Sequence, residues 1–288
     1  MPSLAELRKK VKGITSTRKI TRAMKMVAGA RFGRAQVGLN GARRFATDLD
    51  TMLNDILAQT GAERDIMRIL IGHDLPSVKK TALIVITGDK GLCGDFNNSV
   101  MREADRMIKA DPAGIGAVFA VGRKACDHYR KMRLSSLTEY SMVFTTLDFA
   151  LADRIVTDVV AAVMTKGITQ VSVMSANFVS MMKHAVTEKK LLPLTYEKPA
   201  NARESLLEPS GQNEILSALL PMVLKARMYR MLRESYVAEL AARMRAMDNA
   251  TNNAGSLIER ITLEMNKVRQ ANITREIAEI IGTNEVVK

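Results

Sequence analysis

The chain contains no tryptophan, only two cysteines, and aromatic residues at 4% of its 288 positions. So few rings provide poorly for rigid aromatic pockets or for platforms that stack bases. Cys93 and Cys126 do not form a CxxC pair, so a cysteine zinc site and a disulfide framework are both unsupported, and a reducing compartment fits best. His73, His128 and His184 are isolated, with no HxxxH or paired-carboxylate spacing, and no metal site is expected. No run approaches eighteen apolar residues, and the N-terminus lacks the apolar core of a secretory signal. Acid is also scarce at the start. Between Met1 and Arg44 stand Arg8, Lys9, Lys10, Lys12, Arg18, Lys19, Arg22, Lys25, Arg31, Arg34, Arg43 and Arg44, with Glu6 as the single acid. This segment carries most of the net charge of +13. Such a rod asks for an acidic partner, a phosphate-rich partner or plain solvent. Nucleic acid is the rival reading, but Phe32 and Phe45 are the only aromatics nearby.

Helix breakers are missing at the other end. No proline follows Pro221, and after Gly211 the next glycine is Gly255. Across this stretch Leu240, Met244, Met247, Thr251, Ala254, Ile258, Ile261, Met265 and Val268 recur at steps of four and three. That single narrow seam predicts a coiled-coil helix from about Pro221 to Lys288. Roughly sixty residues at 1.5 Å each would make a rod on the order of 90 Å, which must project from the body and needs a second helix. The methionine count of 19 suits helical seams and adaptable contact surfaces.

The second helix is expected at the N-terminus. Leu4, Leu7, Val11, Ile14, Ile20, Met24 and Val27 supply its apolar positions, and Ser3 followed by Glu6 forms a capping box. Gly13, Gly29, Gly33 and Gly38 each cost up to about 1 kcal/mol in a helix interior, and they are expected where the helices cross closely.

Between the ends the pattern alternates. Thr81 to Thr87, Gly116 to Val121, Leu137 to Phe144, Gln170 to Phe178 and Val186 to Leu192 read as strands. Helices are expected over Asn97 to Ala110, Arg123 to Lys131, and from the cap Asp148 to Gly167. The fold class is therefore α/β: a Rossmann-like domain with a mainly parallel sheet, joined to a long antiparallel coiled coil of the N- and C-terminal helices. The expected parts are 1–60 for the first coiled-coil helix, 78–195 for the globular foot and 209–288 for the last helix. The segment from Pro193 to Pro209 is read as the connector.

One loop invites a chemical reading. Gly88 to Asn97 lies between a strand and a helix, where a phosphate loop would sit, yet it matches neither the Walker pattern nor GxGxxG. A tight turn whose glycines allow positive φ is the preferred reading. Cys93 is read as a buried turn residue, since no histidine lies near it in sequence. No cofactor, catalytic constellation or tight ATP binding is expected.

Both ends carry a resemblance. Ile20-Thr21-Arg22-Ala23-Met24-Lys25-Met26-Val27-Ala28 is similar to "ITKAMxMVA", a motif of the gamma subunits of F-type ATP synthases, the central stalk. Ala242 to Thr251 resembles the family's "ARMxAMxNAT", and Asn266 to Glu276 its "NxxRQAxITxE". In the middle, Gly88 to Asn97 resembles "SDRGLCGGFN", with Gly88 for the usual serine and Asp95 for the second glycine, and Glu208-Pro209-Ser210 resembles "FEPS".

The resemblance implies a non-catalytic rotor. One copy would stand inside a hexamer of alternating alpha and beta subunits, with its foot on the c ring beside the epsilon subunit. Membrane association would come only through the complex, at the cytoplasmic face of a bacterial inner membrane. The lack of a transit peptide fits a bacterial or already mature chain. Met24, Lys25 and Arg243 match the positions facing the acidic lever of beta, and Arg269 and Gln270 those meeting its catch loop. Ile277, Ile280 and Ile281, with Val286 and Val287, match the apolar bearing at the top of the hexamer. Glu204, Glu208 and Ser210 lie where the family's foot meets the c ring. A basic coiled-coil tether for DNA or RNA is the alternative, marked by salt-dependent binding to generic duplex.

Overall fold

The computed structural model describes residues 3–60, 80–134, 136–145, 147–181, 183–194 and 212–286, apart from the side chains of 58–60, 183–184, 212–213 and 279–286. Helix α1 runs over Leu4–Thr60. It is followed by β1 (Lys80–Ile86), α2 (Phe96–Ala110), β2 (Ile115–Val121), α3 (Arg123–Lys131), β3 (Leu137–Tyr140), α4 (Phe149–Lys166), β4 (Ile168–Ser180), β5 (Lys183–Leu192) and α5 (Gln212–Val286). Helix α1 opens with the expected capping box: the Ser3 amide donates to Glu6 Oε2 at 3.0 Å, and the Glu6 amide to Ser3 Oγ at 3.3 Å. Asp148 caps α4 by accepting from the Leu151 amide at 2.9 Å, and Gly167 ends it at φ +64°, a conformation that glycine adopts without a Cβ penalty.

The sheet has the order β3-β2-β1-β4-β5; the first four strands are parallel and β5 pairs antiparallel with β4. Its central strands are continuous apolar runs because both faces are covered. On β1, Ala82, Ile84 and Ile86 enter one core with α4, the later part of α1 and the start of α5. Leu83 and Val85 enter the other, with α2 and α3.

The chain forms two compact units, Met1–Ala28 with Met244–Lys288, and Gly29–Arg243. Both long helices contribute to both. Within the larger unit, Arg43 pairs with Glu234 and Asp50 with Arg227, seven residues up α1 for seven down α5, so the helices run antiparallel. Glu234 also holds Lys189 of β5 at 2.8 Å, tying α1, the sheet edge and α5 through one buried carboxylate.

In the smaller unit the α5 seam follows the sequence pattern. Met244, Met247, Thr251, Ala254, Ile258, Ile261, Met265 and Val268 are all buried or half-buried. Its register is fixed by Lys25 Nζ on Asp248 Oδ1 at 2.6 Å, by Thr21 Oγ1 with Thr251 Oγ1 at 2.8 Å, and by Arg18 beside Gly255. Continuing that register by two heptads brings Leu4, the first helical residue of α1, level with Arg269. From Arg269 to Ala278 every residue is exposed, because α1 has ended.

Four expectations are corrected. Ile20 and Val27, counted among the apolar positions of α1, are 60% and 54% exposed. Their neighbours Thr21 and Ala28 are the buried ones, since the four-three register of Leu4, Leu7, Val11 and Ile14 continues through 18, 21, 25 and 28. Small side chains let the helices close there. Gly13 and Gly33 do not mark a crossing, for a Cβ at either would meet nothing within 4 Å among the described residues, whereas one at Gly38 would lie 3.0 Å from the Arg233 guanidinium. Finally, α5 starts at Gln212 and carries Pro221 inside it, while β3 stops at Tyr140 rather than running to Phe144.

Candidate functional site

The turn after β1 is built by its own side chains. Gly88 donates its amide to Asn97 Oδ1 at 2.8 Å, and Asn97 Nδ2 returns to the Lys90 carbonyl at 3.2 Å and to Cys93 Sγ at 3.1 Å. Asp89 reaches across the C-terminal edge of the sheet. Its Oδ1 accepts from the Arg123 amide at 3.1 Å, at the start of α3, and its Oδ2 from the Phe144 amide at 2.9 Å, in the loop after β3. A helix N-terminus is a natural seat for an anion, and here the protein supplies its own carboxylate.

The strand order also places β2 and β4 on opposite sides of β1, the switch point beside which open α/β sheets bind ligands. In this chain α5 enters that region: Ala238 and Ala242 share one buried cluster with Cys93, Met174 and Ala176. The crevice is thus filled by protein, and the loop works as a packing turn. We expect Asp89→Ala to cost about 2 kcal/mol, since two hydrogen bonds to a charged acceptor are lost. The check is a lowered melting temperature against an unchanged one for Asp95→Ala, whose ion pair with Arg102 is exposed.

Neither thiol is poised to react. Burial, helped by Glu239, pushes Cys93 upward, and burial, helped by Glu139, pushes Cys126 up to about 11. An open groove of about 500 Å³ is lined by Asn98, Met101, Arg102, Asp105, Arg106 and His128, among others. Its arginines already face Asp95 and Glu103, and His128 lies 2.9 Å from Asp105.

The candidate contact residues fall into distinct settings. Met24 is half-buried, and Lys25 is engaged by Asp248 within the smaller unit. Arg243 belongs to the larger unit, where it pairs with Glu239. Arg269, Gln270 and Ile277 lie on the exposed stretch of α5 beyond the end of α1. Ile280, Ile281 and Val286 continue that helix without described side chains, and Val287, Glu204, Glu208 and Ser210 lie outside the described residues. Ten of the twelve basic residues up to Arg44 are exposed, Lys25 and Arg43 being half-buried, so the positive rod is a surface property. The pattern did not reveal Glu234, Glu239 or Asp89, because an acid in a sequence carries no sign of burial.

Comparison with known proteins follows the same lines. The family model described as ATP synthase matches residues 3–287. The ATP synthase gamma chain of Pelotomaculum thermopropionicum is 36% identical over 288 aligned residues, covering 98% of each chain. That of Pelodictyon phaeoclathratiforme is 37% identical over 290, again covering 98% of each. Among solved structures, a chain from the Euglena gracilis mitochondrial ATP synthase assembly of OSCP, F1 and c-ring has a TM-score of 0.64 at 16% identity, over 99% of this chain and 94% of that one. A chain from the Tetrahymena thermophila mitochondrial ATP synthase central stalk and c-ring reaches 0.58 at 24%, over 80% and 99%. Those two likenesses speak for the fold, and no described helix is long and apolar enough to cross a membrane. With one model spanning nearly every residue and relatives more than a third identical from end to end, the chain belongs to the ATP synthase gamma-chain family.

Proposed function

We propose that this chain is the central rotor stalk of an F-type ATP synthase, turned by proton or sodium flow through the c ring. It is a non-catalytic subunit, the catalytic sites lying on beta. The coiled coil turns inside the alpha–beta hexamer and presents unlike faces to three equivalent beta subunits, shifting each in turn among its conformations. The observation that carries this reading is the unequal helix pair: α5 outruns α1 at Arg269 and leaves a bare helical end with exposed Ile273 and Ile277. A bare apolar-edged helix is suited to a sleeve supplied by other subunits.

On this reading residues 1–60 and 209–288 form the shaft and 78–195 the foot. Met24, Lys25 and Arg243 meet the acidic lever of beta, and Arg269 and Gln270 its catch loop, where an arginine offers a bidentate fork to a carboxylate. Ile277, Ile280 and Ile281 turn in the apolar bearing, and Glu204, Glu208 and Ser210 meet the c ring beside epsilon. The complex holds one copy and sits peripherally on the cytoplasmic face of a bacterial inner membrane.

The test is co-expression with matching alpha and beta subunits. A complex of three alpha, three beta and one gamma whose ATPase activity needs this chain is expected. In the membrane-reconstituted synthase, Arg269→Ala is expected to lower coupled ATP synthesis about tenfold while the isolated chain stays folded. Wild-type synthesis would remove that role from Arg269. Failure to assemble, together with salt-dependent binding of duplex nucleic acid, would overturn the rotor reading itself.

A further inference from the structure

Arg243 is assigned above to a partner surface, yet its side chain is only 15% exposed. Its Nη2 donates to Glu239 Oε1, one turn earlier on α5, and its Nε is buried with no hydrogen-bond partner among the described residues. Glu239 is itself 3% exposed. The turn after β1 packs against it: a Cβ added to Gly88 would lie 3.3 Å from Glu239 Cγ and 3.2 Å from Asn97 Oδ1. Arg31 and Asp89 also act on the Glu239 carboxyl, and the Cys93 thiol shares its field with Glu239 and Arg243.

This pair differs from an ordinary surface pair at the same spacing. Glutamate four residues before a basic partner is the favoured order on a helix, but exposed pairs of this kind hold their side chains loosely and contribute little. A buried carboxylate is costly to keep ionised, and well-packed apolar residues commonly do as well or better for stability. Here burial pushes the Glu239 carboxyl upward, with Asp89 adding to the effect and Arg243 opposing it. What the pair supplies is geometry. A guanidinium is a rigid fork of five donors, and with Nη2 held by Glu239 the whole plane is anchored rather than free to rotate.

We propose that Glu239 is a positioning residue: it fixes the Arg243 guanidinium beside the Gly88–Asn97 turn so that its remaining donors meet the acidic lever of beta already ordered. Ordering the arginine in advance removes the entropy that a free side chain would lose on each encounter. The proposal rests on the Arg243 contact given under the proposed function, and the test separates the two.

Complexes of three alpha, three beta and one gamma are assembled with E239L, E239Q, R243Q and E239L/R243Q, and kcat and KM for ATP hydrolysis are measured beside the melting temperature of each isolated chain. E239L removes the acceptor and is expected to lower kcat about tenfold with KM unchanged. E239Q keeps an acceptor in the same place and is expected to recover kcat to within about threefold of wild type, with its melting temperature preserved. The double variant should be no slower than R243Q alone, since both remove one contact. Wild-type kcat in E239L with an impaired R243Q overturns the positioning role, and so do losses that multiply in the double variant. If E239L does not fold, E239A, which also lacks the acceptor, takes its place, and wild-type kcat in E239A with an impaired R243Q overturns the positioning role. Wild-type kcat in R243Q overturns the contact and the positioning together.

Discussion

Ile261→Asp is expected to separate the coiled coil of the smaller unit at a cost of about 4 kcal/mol, from lost apolar burial and an unpaired carboxylate in the seam. Ile261 is buried, and the register places it level with Val11 of α1. A helix pair joined along one seam has no second core to absorb the loss, so the damage should spread to the chain end. The readout is the fall in far-ultraviolet helical signal on warming. Leu263→Asp is the control. It lies two residues on, about 200° around the helix, and is well exposed. That variant should stay within about 0.5 kcal/mol of wild type. Equal effects at both positions would mean that the seam does not hold the helices.

The second large effect is expected at Glu234. Removing this carboxylate as Glu234→Ala strands Lys189 and Arg43 and should cost about 2 kcal/mol in urea unfolding, less than for a fully buried pair because the Arg43 side chain is 43% exposed. Burial raises the Glu234 carboxyl, but Lys189 and Arg43 outweigh it and hold it below its ordinary 4.5. Its contribution is therefore complete above pH 4.5 and disappears as pH falls through the lowered folded value. The stability gap between wild type and variant should be flat near neutral pH and close in acid. Glu239, five residues on along α5, has the opposite sign. Its raised carboxyl favours the folded chain below pH 4.5, and that benefit is lost as pH rises through the folded value. Comparing Glu234→Gln with Glu239→Gln across pH distinguishes the two: the first should destabilise at neutral pH, the second should not.

Much of the architecture was legible because it follows short rules. Apolar runs gave the strands, Asp148 and Gly167 bounded α4, and the four-three rhythm from Leu240 to Val268 gave the α5 seam. The rule failed where polarity and position part company. Ile20 and Val27 are apolar and outside, whereas Thr21 is polar and inside because it finds Thr251 across the seam. Glycines misled for a related reason: a missing side chain permits a close approach but does not cause one, and Gly13 and Gly33 face open space. Charged residues were the least legible. Arg243 and Lys25 stand in similar basic motifs, yet one is held by Glu239 a turn away on its own helix and the other by Asp248 on the opposite helix, a difference the motifs do not carry.

The early end of α1 has a mechanical consequence. Two helices sharing a seam resist torsion together, because twisting one must shear its contacts with the other. Past Arg269 the described residues form a single exposed α-helix, held by hydrogen bonds within itself. Such an element is a soft spring beside a stiff one in series: under the same torque, most of the twist collects in the soft part. On the rotor reading proposed above, the unpaired end would centre an axle rather than drive it, and load taken below Arg269 would pass through the stiffer pair.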